Sequence, residues 1–119
     1  MLLIMIVMIV ISMIISPTFR STTNLLNILN QNAIYGVMAF GMGVCILTGA
    51  IDLSAGSVAA LAGVVATPLF RDYGLAAGLI GGLGIGALIG LVNGVLVMKV
   101  KVTYFVTTLG MMSVARGAV

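Results

Sequence analysis

Only two residues in this 119-residue chain are acidic, Asp52 and Asp72. Asp72 follows Arg71 directly, so the two charges largely cancel, and Arg71-Asp72-Tyr73-Gly74 reads as a solvated turn. Asp52 lies in Ile51-Asp52-Leu53-Ser54-Ala55-Gly56-Ser57, between two long apolar runs. A carboxylate there can do two kinds of chemistry. It can accept from the free backbone N–H groups at the start of a helix near Leu53 to Ala55, a role Ser54 could share. It can also act as a polar element of a translocation pathway, since a charge at bilayer depth is seldom idle. The cap is the preferred reading, and the two are compatible. Other chemistry is excluded within the chain. There is no histidine, the lone Cys45 sits in an apolar run, and no nucleophile–base pair or paired carboxylates occur. Neither a metal site nor a cofactor is therefore expected.

The elements that would position Asp52 are apolar to an unusual degree. The chain is 62% hydrophobic and 6% charged, with a mean hydropathy of +1.37; a soluble domain carries roughly 25% charged residues. Too few polar side chains remain to solvate a globular surface, so the composition implies a membrane protein surrounded by lipid. The five cations Arg20, Arg71, Lys99, Lys101 and Arg116 are scattered, and no patch exists to track nucleic acid.

Taken in order, Met1 to Ser16 is nearly all apolar and ends at Pro17, predicting a first transmembrane helix that runs at most to Phe19. No positive region precedes it and no small-x-small site follows before Arg20, which argues against a signal peptide. Pro17 to Gln31 reads as an interfacial connector holding a short amphipathic helix. Ala33 to Ile51 is an uncharged run of about 19 residues, enough for a second span. Its glycines 36, 41, 43 and 49 favour close packing or local unwinding. Ala55 to Phe70 is a third run, in which Ala55, Ala59, Gly63 and Thr67 form a smooth strip for a neighbouring helix, and Pro68 to Gly74 close it with a turn.

The fourth run, Gly74 to Met98, carries glycine at 74, 78, 82, 86, 90 and 94. Each four-residue step advances roughly 400°, so the groove drifts about 40° per step. Gly78, Gly82, Gly86, Gly90 and Gly94 are therefore expected to pack against at least two neighbours inside a bundle. Gly82-Leu83-Gly84-Ile85-Gly86 has the spacing of a nucleotide fingerprint, but no strand precedes it. Lys99 and Lys101 mark a cytoplasmic end, with Arg20 and Arg71 outside. Val102 to Val119 opens a fifth span containing Thr107, Thr108 and Arg116, and Arg116 must face a cavity or snorkel. The expected architecture is all-α: a polytopic transmembrane bundle of about four spans plus the start of a fifth, truncated.

With these residues set out, the chain resembles the permease subunit of ribose-type ABC sugar importers, within the branched-chain permease superfamily. Four stretches carry the likeness: Thr48 to Val58 with its Ile51-Asp52-Leu53-Ser54 core, Val92-Asn93-Gly94, Phe105-Val106-Thr107-Thr108-Leu109-Gly110, and Met112-Ser113-Val114-Ala115-Arg116-Gly117. The likeness covers nearly the whole chain but only the N-terminal part of such a permease. The chain departs from the family pattern at Ala50, where glycine is usual, at Thr103 and Tyr104, where proline is common, and at Met111, often threonine.

The resemblance implies a bacterial inner-membrane subunit that pairs with a second permease copy, cytoplasmic ATP-binding subunits and a periplasmic sugar-binding protein. Catalysis would belong to the ATPase, not to this chain, and the segment that docks on it would lie downstream of the match. In that setting Asp52, Ser54, Gly56 and Ser57 would organise a helix break, and Arg116 would stay inward. From a different class, the glycine ladder alone would suit a small self-associating membrane protein without transport activity.

Overall fold

The structure is a computed structural model describing residues 1–119. It contains five helices and no strands: α1 (Leu2–Ile15), α2 (Thr22–Leu47), α3 (Ala55–Tyr73), α4 (Leu75–Met98) and α5 (Tyr104–Gly117). The chain divides into two compact units, Met1–Ala39 and Phe40–Val119, and each is described by itself.

In the first unit α1 is continuously apolar, and its one internal hydroxyl is satisfied locally, Ser12 Oγ donating to the Met8 carbonyl at 2.8 Å. The helix stops at Ser16, whose extended backbone (φ −120°, ψ 110°) precedes Pro17. α1 has 14 residues, roughly 21 Å of rise, so it is shorter than the span expected from Met1 to Ser16. Helix α2 starts behind an ordinary N-cap. Ser21 Oγ accepts from the Asn24 N–H at 3.2 Å, and Asn24 Nδ2 donates back to the Phe19 carbonyl at 3.0 Å. The amphipathic connector and the second span expected as separate pieces are one helix of 26 residues. The reason is local: no proline or glycine interrupts the sequence between Ser21 and Tyr35, so a helix begun at Ser21 has nothing to end it.

In the second unit, α2 ends at a left-handed glycine. Gly49 has φ +76°, its N–H donates to the Ile46 carbonyl at 2.9 Å, and the Ala50 N–H reaches Cys45 at 3.0 Å. This paired closure satisfies carbonyls the helix would otherwise leave free. The chain then runs unwound to Ser54 before α3 begins. Of the four glycines in this run, Gly49 lies past the end of the helix, while Gly36, Gly41 and Gly43 stay helical.

α3 and α4 form an antiparallel hairpin joined by the single residue Gly74 (φ +88°, ψ 179°), a conformation other residues avoid. The turn expected from Pro68 to Gly74 is absent, because α3 continues through Pro68 to Tyr73. Proline removes one backbone donor from the helix, and the helix breaks only where Gly74 reverses it. A Cβ added at Gly78 would lie 2.8 Å from Phe70 Cβ, and one at Gly82 would lie 3.3 Å from Ala66 Cβ. The first half of the ladder therefore lets α4 approach α3. Gly86, Gly90 and Gly94 meet nothing within 4 Å, so the expected packing of all five glycines is not realised within this chain. The drift of the ladder carries the later glycines off the α3-facing side. The strip Ala55, Ala59, Gly63 and Thr67 is also displaced from its expected role. α3 turns Ser57, Leu61, Ala62, Val65, Ala66 and Leu69 inward, and leaves Ala59, Gly63 and Thr67 exposed.

α5 packs on both α3 and α4. The connector from α4 is tightened by Lys101 in the left-handed region (φ 65°) and by the Val102 N–H donating to Leu96 at 3.1 Å. α4 is long and apolar enough to cross a membrane, while α1 is apolar but shorter. The polar first turns of α2 and the Arg71–Asp72 end of α3 keep those helices outside that description. The all-α class and the five-helix order agree with expectation.

Candidate functional site: a polar helix junction

The interior of this bundle is the inverse of a soluble core. Its buried side chains are Ser54, Ser57, Thr107, Thr108 and Ala115, while Leu79, Ile80, Leu83 and Leu91 project outward. Hydroxyl groups within and aliphatic groups without suit a lipid surrounding. There an unpaired polar group carries a large penalty, and interior hydrogen bonds link the helices.

The junction between α2 and α3 is the centre of these bonds. Asp52 Oδ1 accepts from the Ser54 N–H at 2.8 Å and from Ser54 Oγ at 2.6 Å. Asn93 Nδ2 of α4 donates to the same Ser54 Oγ at 3.4 Å. A relay Asn93–Ser54–Asp52 thus ties the unwound segment to α4. The expected cap is met in part: Asp52 accepts from the Ser54 N–H at the helix start, while neither Asp52 nor the Ser54 hydroxyl accepts from an N–H within Ala55–Tyr73. Ser54 already has helical backbone angles (φ −85°, ψ −15°), whereas a capping side chain needs the extended region. Its hydroxyl is turned to the carboxylate instead.

Two further contacts hold α5 to the junction. Thr108 Oγ1 donates to the Tyr104 carbonyl at 2.8 Å within its own helix and lies 3.4 Å from the Ile51 carbonyl of the unwound segment. Arg116 Nε donates to Ser57 Oγ at 3.3 Å, beside a cavity of about 340 Å³ that Gly56 and Met112 also line. Arg116 thus lines this cavity while remaining exposed as a residue. A second cavity, of about 220 Å³, opens beside Asp52, Asn93 and Thr108, with Gly90 and Gly94 in its wall. Two buried acceptors, Asn93 Oδ1 and Thr107 Oγ1, have no hydrogen-bond partner. An unmet group of this kind costs about 1–3 kcal/mol.

Of the residues singled out from sequence, Asp52, Ser54, Asn93 and Thr108 come together, and Ser57, Gly56 and Arg116 form a second group. Leu109 and Gly110 are exposed on α5, and Gly117 ends that helix. Sequence reasoning about single residues missed that Asn93 is the partner of Ser54. The signal was present: Asn93 is the one polar side chain in the 24 residues of α4, and a lone amide in an apolar helix must find a partner.

Residues 24–119 match the family described as branched-chain amino acid transport system / permease component. The chain belongs to that permease family. Among relatives, it is 42% identical over 114 residues to the ribose import permease protein RbsC of Escherichia coli (strain K12), covering 95% of this chain and 36% of RbsC. It is 39% identical over 114 residues to the galactose/methyl galactoside import permease protein MglC of Salmonella typhimurium, covering 85% of this chain and 34% of MglC. It is 41% identical over 103 residues to the inner membrane ABC transporter permease protein YjfF of Escherichia coli (strain K12), covering 85% and 31%. The permease chain thus spans about a third of the length of these relatives. No solved structure matches it significantly. As a permease-family chain it is a membrane protein, and the polar junction falls within the matched region.

Proposed function

We propose that this chain is the N-terminal part of a multi-pass permease subunit of an ATP-driven importer, carrying a monosaccharide such as ribose across a bacterial inner membrane. The observation that carries this reading is the 42% identity to a ribose import permease across 95% of the chain. The polar junction supports it. Helices interrupted by short polar breaks are a common way for transporters to build sites at bilayer depth, and Asp52 with its relay forms such a break between α2 and α3.

In this reading the subunit is not itself catalytic. It works with a second permease copy, cytoplasmic ATP-binding subunits and a periplasmic sugar-binding protein. Gly86, Gly90 and Gly94, which have open space beside them, offer the rest of the bundle or the second copy a close approach. The test is uptake of labelled ribose and galactose by cells expressing the full gene with its cognate ATPase and binding protein. Deleting the gene is expected to abolish uptake of one of these sugars. Unchanged uptake of both would remove the transport assignment.

A further inference from the structure

We propose that Arg116 is one half of an ion pair deep in the bilayer, its carboxylate supplied by a membrane helix from the remainder of the subunit. This rests on reading the chain as part of a longer permease. The depth of Arg116 follows from the register of the α3–α4 hairpin. A Cβ at Gly78 meets Phe70, one at Gly82 meets Ala66, and Asn93 reaches Ser54. On that register Ser57 lies level with Gly90 and Leu91, and Arg116 Nε donates to Ser57 Oγ at 3.3 Å. At about 1.5 Å per residue this level is roughly 12–14 Å from Lys99 and roughly 21 Å from Arg71. In a hydrocarbon core about 30 Å thick it is an interior level. Both polar ends are about two helical turns away or more, so the guanidinium cannot snorkel to a lipid phosphate.

At that depth the charge is unmatched. The two carboxylates of the chain are committed elsewhere, Asp52 to Ser54 and Asp72 to Arg71 at the far end of α3. Arg116 makes no hydrogen bond besides that to Ser57, so Nη1 and Nη2 are free, and the residue is exposed on α5. A charge left bare to hydrocarbon is costly and calls for a partner. Beside it lies the cavity of about 340 Å³ walled by Leu53, Gly56, Ala60 and Met112. At about 30 Å³ per water this is roughly ten waters' volume, room for a side chain from another helix. Nη1 and Nη2 present parallel N–H groups that one carboxylate accepts together. A second copy fits less well. It shares this chain's orientation in the membrane, so its Asp72 lies about 21 Å from the level of Arg116, and its Asp52 is held by Ser54.

The full-length subunit carrying Arg116→Lys is treated in membranes with the lipid-soluble reagent dicyclohexylcarbodiimide. The reagent activates a carboxylic acid and leaves as its urea, taking up the water lost as the lysine Nζ forms an amide. Mass spectrometry is expected to find one amide joining position 116 to an Asp or Glu of the same subunit outside residues 1–119. The unsubstituted subunit should show none at that position. Arg116→Leu alone is expected to lower the yield of folded, monodisperse subunit about tenfold. Replacing the crosslinked acid by leucine as well should bring the yield back within about twofold, since removing one partner of a buried pair harms more than removing both. No amide at position 116, an amide only to Asp52 or Asp72, or one between two copies overturns the proposal. So does an unchanged yield in Arg116→Leu, or a double variant that does not recover. If gene deletion abolishes uptake but no amide forms, transport stands and the ion pair falls. If the amide forms but uptake is unchanged by deletion, the ion pair stands and the transport reading falls.

Discussion

Two serines stand immediately before helices in this chain, and they spend the same hydroxyl differently. Ser21 accepts from the N–H three residues on and closes the start of α2. Ser54 gives its hydroxyl to Asp52 and receives Asn93 from another helix. Ser21 is a local device that any helix start could use. Ser54, 1% exposed, leaves its own helix uncapped by a side chain and joins two segments 39 residues apart. The contrast shows that residue type at a helix start does not settle what the residue does. What differs is the neighbourhood: a carboxylate two residues earlier draws the hydroxyl away from the backbone.

The largest effect that would break this comparison is expected at Asp52. Asp52→Leu removes the acceptor of two bonds, and hydrogen bonds to a charged group contribute roughly 1.5–3 kcal/mol each. A loss of about 3 kcal/mol is expected by unfolding in mixed detergent micelles, with Asp52→Asn costing about 1 kcal/mol because its carbonyl still accepts. Equal losses would show that charge, not acceptance, holds the junction. Gly78→Ala, placing Cβ against Phe70, should cost about 2 kcal/mol by overpacking, while Gly90→Ala should be neutral or slightly stabilising. The serines themselves come next. Ser54→Gly is expected to cost about 1.5 kcal/mol, since it strands Asn93, whereas Ser21→Gly should cost only a few tenths, glycine being a tolerated cap. Similar values for the two would erase the distinction. The smallest effect is Thr107→Val. Its hydroxyl is already unpartnered, so replacing it by a methyl should leave stability within about 0.5 kcal/mol of the parent.

Much of the architecture was legible in the sequence. The charge at Asp52 between apolar runs located the unwound junction, and the uncharged stretch from Gly74 to Met98 located α4 within a residue. Other features were hidden for identifiable reasons. Pro68 reads as a terminator, yet its effect is local and the positive φ of Gly74 decides where α3 ends. The strip Ala55, Ala59, Gly63 and Thr67 does share one helix face, but spacing tells which residues share a face, not which face meets a neighbour. In a soluble helix a polar side would settle that question. Here nearly every side is apolar, so the signal is lost. The same holds for the ladder: its period was readable, and the point at which α3 leaves it was not. For the site, the sequence supplied Asp52, Ser54 and Arg116 as separate oddities. Their pairing with Asn93 and Ser57 depends on helix register, which a lone sequence does not contain.

The one-residue link at Gly74 also ties two depths together. A residue spans at most about 3.6 Å, so in the folded protein the end of α3 and the beginning of α4 lie at one level. Arg71 and Asp72, in the last turn of α3, therefore set the level at which the apolar α4 begins, and neither helix end can shift along the bundle axis without carrying the other.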